Sequence, residues 1–252
     1  MLSVDLNCDL GEGFPYDREL MSYISSANIA CGFHAGNSDT MRQTVEWALE
    51  NEVAIGAHPS FPDRKNFGRS DLFVAGVGPE NLPMILTDQI TALQKICSEF
   101  GTHLHHVKPH GALYNRAAWD PVVSSCICKV MKEIDPSLRF YGLSGSVMKT
   151  ESDACHLEFV NEVFADRTYR EDGSLTPRQE SGATIKDGSV AVGQVLQMLL
   201  QGTVTTITGK RIPIIAETIC IHGDGANAPG IAKEVRDAIL KNGIVIKKPA
   251  PR

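Results

Sequence analysis

The chain lacks any apolar run approaching the ~18 residues a membrane-spanning helix needs, which excludes a transmembrane segment. It also lacks a dense basic block. Its 24 Lys+Arg are outnumbered by 30 Asp+Glu, for a net charge of −6, and the Lys247-Lys248 pair is too short to matter. Nucleic acid and anionic membranes are therefore poor partners. Its 7 cysteines are odd in number and include no CxxC pair, only the CxC of Cys126-Ile127-Cys128 on a helical stretch. Free thiols in a reducing cytoplasm fit this better than a disulfide framework. The chain opens on a strand carrying Asp5 and Asp9 rather than on a signal peptide. There is no GxxxxGKS/T phosphate loop and no GxSxG elbow. Gly142-Leu143-Ser144-Gly145-Ser146 resembles an elbow only loosely, although N–H groups at a helix start there can hold an anion. No repeat, linker or low-complexity stretch divides the 252 residues, so residues 1–252 read as one domain.

What the chain does have is alternation. Extended runs are expected over Ser3–Asp9, Ala27–His34, Val53–His58, His103–His110, Arg139–Ser144, Glu158–Asp166 and Pro213–His222. Between them, Met41, Val45 and Ala48, then Leu86, Ile90, Leu93 and Cys97, and later Ile231, Val235 and Ile239 keep helical spacing. Strand–helix alternation implies a parallel sheet with right-handed crossovers.

The strand faces decide between an open sheet and a barrel. Strands sandwiched in an open sheet are apolar on both faces. Here Val4, Leu6 and Cys8 oppose Asp5, Asn7 and Asp9, while Ile29, Cys31 and Phe33 oppose Asn28, Ala30, Gly32 and His34. Glu158, Glu162 and Asp166 likewise oppose Phe159, Val163 and Ala165. An apolar face toward helices and a small or polar face toward an interior predict a TIM-like (β/α)7 barrel of about seven units.

An acid or base stands at almost every strand end: Asp9, His34, His58, His110, Asp166 and His222. A barrel assembles its active site that way, at one mouth. Glu12, flanked by Gly11 and Gly13, follows Asp9; such carboxylates can bind a metal, hold an N–H or act as a general base. His34 and His58 are too far apart for a helical HExxH motif, so a shared metal would bridge neighbouring strands. The long loop Phe61–Ser70 carries Arg64 and Arg69 and has the length of a lid. His106, Lys108 and His110 share one strand face, and an inward lysine must find a partner or lose its charge. Glu162 and Asp166 precede Arg167 and a second charged loop with Arg170 and Arg178. His222 and Asp224 flank Gly223, with Asp224 placed to cap the next helix as well. Catalytic roles are expected for Asp9, Glu12, His34, His58, Lys108, His110, His222 and Asp224, and substrate contacts for Asn7, Asn28, Arg69, Asp166 and Arg167.

These phrases resemble the LamB/YcsF family from Asp5 to about Asp224: DLNCDLGEGF, SANIACGFHAG, GAHPSFPD, HVKPHGALYN, EVFADRTY and TICIHGD. The chain departs from the pattern at Asn37-Ser38, where an acid and a proline are expected, at Ser70 in place of a second arginine, and at Gly225-Ala226-Asn227, where a proline is expected. The resemblance implies a barrel of the glycoside hydrolase/deacetylase type. It also implies a cytoplasmic 5-oxoprolinase that opens 5-oxo-L-proline to L-glutamate with ATP as co-substrate, possible Mg, and two other subunits as partners. On that activity Asp9, Glu12, His34, His58 and Asp224 orient and activate water. Lys108 and His110 polarise the lactam oxygen or its phosphate, and Arg167 holds a carboxylate or phosphate. Two alternatives stay open: a metal-dependent deacetylase or carbohydrate hydrolase using Asp9, His34 and His58, and a non-catalytic substrate-binding subunit.

Overall fold

Alternation in the first strand is what builds the molecule around a polar axis. In the computed structural model, which describes residues 2–73, 78–225 and 227–249, β1 (Ser3–Leu10) turns Val4, Leu6 and Cys8 into the apolar core and points Asp5, Asn7 and Asp9 the other way. The strands β2 (Ser26–Ala30), β3 (Ala54–His58), β4 (His106–Val107), β5 (Arg139–Leu143) and β6 (Phe159–Phe164) follow in order, each parallel to its neighbour. A short antiparallel hairpin, β7 (Thr203–Thr205) and β8 (Arg211–Pro213), precedes β9 (Thr218–His222). β9 pairs with both β6 and β1 and closes a seven-stranded parallel barrel, while β10 (Val245–Ile246) adds to the start of β1.

The helices ring this barrel: α1 (Asp17–Leu20), α2 (Ser38–Glu50), α3 (Leu82–Glu99), α4 (Gly111–Ala117), α5 (Pro121–Ile134), α6 (Val147–Ala154), α7 (Gly188–Gln201) and α8 (Ala228–Lys241). Their ends follow local chemistry. Asn37 caps α2 by accepting from Thr40 N at 2.9 Å, so the departure at that position keeps a cap. Asp120 and Asp187 cap α5 and α7, with Pro121 in the first turn of α5, and α7 stops at Gly202 in the left-handed region.

The barrel interior is hydrogen-bonded rather than oily. In the lowest layer Asp5 accepts from Ser25, Ser26 and Thr218 at 2.6–2.8 Å. Above it, Asn28 Nδ2 donates to Asn7 Oδ1 and Asp9 Oδ1, both at 2.8 Å, and Asn7 Nδ2 donates to Thr218 Oγ1 and Glu162 Oε1. His106 crosses this layer, stacked on Tyr141 at 3.9 Å, with Nε2 2.7 Å from Asn28 Oδ1. The ring fits because the facing residue is Gly56, where a Cβ would lie 2.1 Å from His106 Nε2.

Three sequence expectations shift. The seventh barrel strand begins at Thr218; Pro213 belongs to the β7–β8 hairpin, whose edge tolerates a missing N–H. The run His103–His110 forms a ladder only over His106–Val107; Pro109 has no N–H to add to it, and single backbone bonds from His105, Lys108 and His110 to the β3 side flank the ladder. His34 lies beyond the end of β2, in the turn that follows Gly32. Ala226, within the departure after Asp224, lies outside the described residues.

Candidate active site

At the carboxyl end of the barrel the polar axis ends in charge. Lys108, just past β4, extends inward and places Nζ 2.8 Å from Asp9 Oδ1, 2.9 Å from Glu162 Oε1 and 3.0 Å from Cys220 Sγ. Burial alone would strip the ammonium of its proton. Asp9, Cys220 and Glu162 reverse that and hold its pKa well above the usual lysine range. Burial also pushes the Asp9 carboxyl upward, but His58 and Lys108 beside it hold it well below its ordinary value. The buried Lys108 ammonium and the Asp9 carboxylate thus favour each other's charged forms.

Next to this pair, three imidazoles and one carboxylate come together. His34 Nε2 lies 3.1 Å from Glu12 Oε1, His110 Nδ1 3.3 Å and His58 Nε2 3.8 Å from the same oxygen. His58 Nε2 is also 2.9 Å from His110 Nδ1 and 3.3 Å from Asp9 Oδ2. His34 stacks on His110 with ring centroids 3.8 Å apart. Burial lowers the His34 pKa to about 2, with His58 adding to the effect, and burial together with His34 and His58 keeps His110 well below the usual histidine range. Burial, then Asp9 and Asp224, raises the Glu12 carboxyl well above the ordinary range.

The far rim comes from the last strand. In the barrel seam Asp9 and His222 are register partners. His222 Nδ1 is 2.9 Å from Asp166 Oδ1, and its backbone N–H donates to the other oxygen. Burial opposes ionisation of Asp166, but His222 outweighs it and lowers its pKa. Asp224 accepts from Arg69 at 2.9 Å and from Arg178 at 3.3 Å. A cavity of about 690 Å³ opens between these groups; Asp9, Glu12, His58, Lys108, His110 and His222 reach its wall.

The expected site residues therefore gather at one mouth but divide by depth. Asn7 and Asn28 lie below the cavity, outside its wall, with their amides spent on Glu162, Thr218 and Asp9. Asp166 and His34 also stay outside the wall, one behind His222 and the other behind Glu12. Arg167 reaches the cavity but donates to Ala183 O and Thr176 O, and burial beside Arg178 lowers its pKa to about 10. Its first task is to pin the loop that carries Arg178.

The Phe61–Ser70 loop is clasped rather than free. Arg64 donates to Gly32 O and Gly36 O, Asp63 accepts from Asn66 N and Ser70 N, and His110 Nε2 meets Phe67 O at 2.9 Å. Only glycine fits at Gly111, with positive φ and a Cβ that would lie 2.6 Å from Gly68 O. Asp224 does not cap α8, whose N-cap is Asn227; it serves Arg69 and Arg178 instead. At the loose elbow, the N–H groups of Ser144, Ser146 and Val147 already donate to carbonyls, and the turn lies on the cavity wall.

Sequence reading left out of the site Glu162, Arg178, Ser60 and Phe67. Glu162 carried a usable signal, since its parity in β6 pointed it inward with Asp166. Ser60 and Phe67 carried none, because each acts through a hydrogen bond to a histidine remote in sequence.

Known proteins bear on this geometry. The LamB/YcsF family model matches residues 4–252. Curated relatives named as the A component of 5-oxoprolinase are 46% identical in Histophilus somni (strain 129Pt) and 47% identical in Brevibacillus brevis (strain 47 / JCM 6285 / NBRC 100599), in each case over 98% of both chains. The crystal structure of a lactam utilization protein from Thermus thermophilus superposes with a TM-score of 0.90 at 38% identity, covering 98% of this chain and 99% of that one. A putative cellobiose-phosphate cleavage protein from Enterococcus faecalis V583, at 13% identity and a TM-score of 0.57, shares the fold, covering 98% of this chain and 97% of that chain. With its phrases spread over six of the seven barrel strands and its family match nearly end to end, this chain belongs to the LamB/YcsF family.

Proposed function

We propose that the chain is the lactam-handling subunit of a cytoplasmic, ATP-dependent 5-oxoprolinase and works with two partner subunits. The observation that carries this reading is the buried Lys108–Asp9–Glu162 centre beside the histidine cluster, at the wall of a cavity of about 690 Å³, in a family whose curated relatives are named as a 5-oxoprolinase component. The cavity is ample for a five-membered lactam bearing a carboxylate. All 7 cysteines are free, in keeping with a reducing compartment. No helix among the described residues is long and apolar enough to cross a membrane.

A five-membered lactam is an amide with its resonance intact, so opening it gains from coupling. In this reading the lactam oxygen takes the terminal phosphoryl group of Mg-bound ATP, and ADP leaves. Water adds to the carbon, the ring C–N bond breaks as nitrogen takes a proton, and a second water cleaves the acyl phosphate to L-glutamate and phosphate. Lys108 faces the developing oxygen charge. Asp9, Glu12, His58 and His110 are the groups at the wall that orient water and move its proton, with His222 opposite them. Arg69 and Arg178, now paired with Asp224, are the cations at the wall that can receive the substrate carboxylate.

The test is reconstitution with the partner subunits, following ATP-coupled glutamate release. Lys108→Ala and His58→Ala should each abolish it, and the isolated chain should show little. Near-wild-type turnover in both variants sinks the reading.

A further inference from the structure

The hydrogen bonds around the histidine cluster fix where its protons are. His58 Nδ1 lies 2.7 Å from Lys108 O and His110 Nε2 lies 2.9 Å from Phe67 O; a carbonyl can only accept, so both nitrogens carry hydrogen. Ser60 Oγ donates its hydrogen to Phe61 O and therefore accepts from His34 Nδ1 at 2.9 Å. Whenever one of these imidazoles is neutral, its opposite nitrogen is a bare lone pair. Those three nitrogens, His34 Nε2, His58 Nε2 and His110 Nδ1, lie 3.1, 3.8 and 3.3 Å from Glu12 Oε1, and two of them face one another at 2.9 Å.

Four acceptors facing one point repel unless something positive lies between them. Protons could relieve the contacts only if two were added, one on Glu12 toward His34 and one on His58 toward His110. A single divalent cation satisfies all four at once. Distances support this. A tetrahedral ion with bonds of ~2.0–2.1 Å holds its ligand atoms about 3.3 Å apart; four of the six separations, 2.9, 3.1, 3.3 and 3.8 Å, bracket that value, and the two between His34 and the other imidazoles stay within 4.8 Å. The outer nitrogens bound to Lys108 O, Phe67 O and Ser60 Oγ are the orienting shell that metal-binding imidazoles ordinarily have.

We infer that Glu12, His34, His58 and His110 form a binding site for one first-row divalent cation of the zinc type. The carboxylate is Glu12 and not the Asp9 expected with His34 and His58, because Glu12 Oε1 lies within 3.8 Å of all three imidazole nitrogens, whereas Asp9 Oδ2 meets His58 alone and Oδ1 is committed to Lys108 and Asn28. Three imidazoles with one carboxylate favour zinc, cobalt or nickel over magnesium or calcium. Glu12, His58 and His110 reach the cavity wall, so the ion faces the cavity and a fifth position is open to water or a carbonyl oxygen. This inference is independent of the ATP-coupled reading, since metal content is measured without substrate.

The experiment uses the full-length chain, stripped with a chelator and checked for folding by circular dichroism. It is titrated with Co²⁺ under visible absorption, and separately loaded with Zn²⁺, dialysed and analysed for metal. The expected result is roughly one retained ion per chain, with Co²⁺ bands typical of four or five ligands. Glu12→Gln and His110→Ala should each weaken binding by more than 100-fold, whereas Ser60→Ala, which removes only the acceptor holding His34, should weaken it about 10–100-fold. Cys220→Ala lies in the neighbouring Asp9, Cys220 and His222 group and should leave stoichiometry unchanged. Folded wild-type chain that retains neither metal would overturn the assignment in favour of protons. Binding lost in Cys220→Ala but kept in Glu12→Gln and Ser60→Ala would overturn it in favour of the other group.

Discussion

Replacing Lys108 by methionine keeps most of the side-chain volume and removes the charge that two buried carboxylates share. Asp9 and Glu162 lie 2.8 and 2.9 Å from the ammonium, and all three side chains are at most 6% exposed. Removing one partner from a buried pair costs about 3–5 kcal/mol, because the remaining charge has neither water nor a counterion. A proton limits that cost. In the variant, folding raises a carboxyl pKa above its unfolded value of about 4, so the folded state binds the extra proton and stability falls as pH rises. In the native chain the Asp9 carboxyl is depressed, so its contribution is present above pH ~4 and is lost as pH falls through the folded value. The gap between native chain and variant should therefore be about 3–5 kcal/mol at pH 7 and smaller at pH 5, by at most about 1.4 kcal/mol per pH unit. Urea unfolding at both pH values measures it. Lys108→Met/Glu162→Gln should cost less than the sum of the single changes, since the second removes the stranded charge. A loss below about 1 kcal/mol that is equal at both pH values would refute the buried-pair argument.

Gly56→Ala forces the His106 ring off Tyr141 and away from Asn28, which combines overpacking of about 1–3 kcal/mol with a lost buried hydrogen bond; thermal unfolding should show a clear drop in midpoint. Acid should destabilise the fold through buried imidazoles away from the cluster. Burial, mainly, lowers His105 to about 4 and His106 well below its ordinary value, so the unfolded chain binds more protons below pH ~6.5; stability should fall from there toward pH 4, and His106→Gln should flatten the profile in urea titrations. Arg178→Ala removes a partly exposed partner of Asp224, so unfolding should change by less than about 1 kcal/mol, while the KM for 5-oxo-L-proline in the reconstituted enzyme should rise severalfold with kcat little changed.

The barrel was legible because period-2 alternation in β1 and β6 leaves carboxylates and amides on the face opposite Val4, Leu6, Cys8 and Val163, an arrangement a sheet covered on both sides would not carry. Convergence at one mouth followed from strand ends. Depth did not: Asn28 and Asp9 are register partners and share the inward direction, and only the packed interior shows that Asp9 reaches the cavity wall while Asn28 is spent on Asn7 and Asp9 beneath it. The Phe61–Ser70 loop read as a lid because its length is visible and its clasp is not; Arg64 spends its guanidinium on two carbonyls that no sequence pattern pairs with it. The protonation of the histidines was equally hidden, since it depends on which acceptor meets each outer nitrogen.

The seam between β1 and β9 has a consequence for when this chemistry can exist. Asp9 and His222 become neighbours, and Cys220 comes up against Lys108, only when the last barrel strand docks between the first and the sixth. A nascent or truncated polypeptide ending before Thr218 holds its reactive groups without the far wall that confines them. Barrel closure is thus the step that completes the cavity wall.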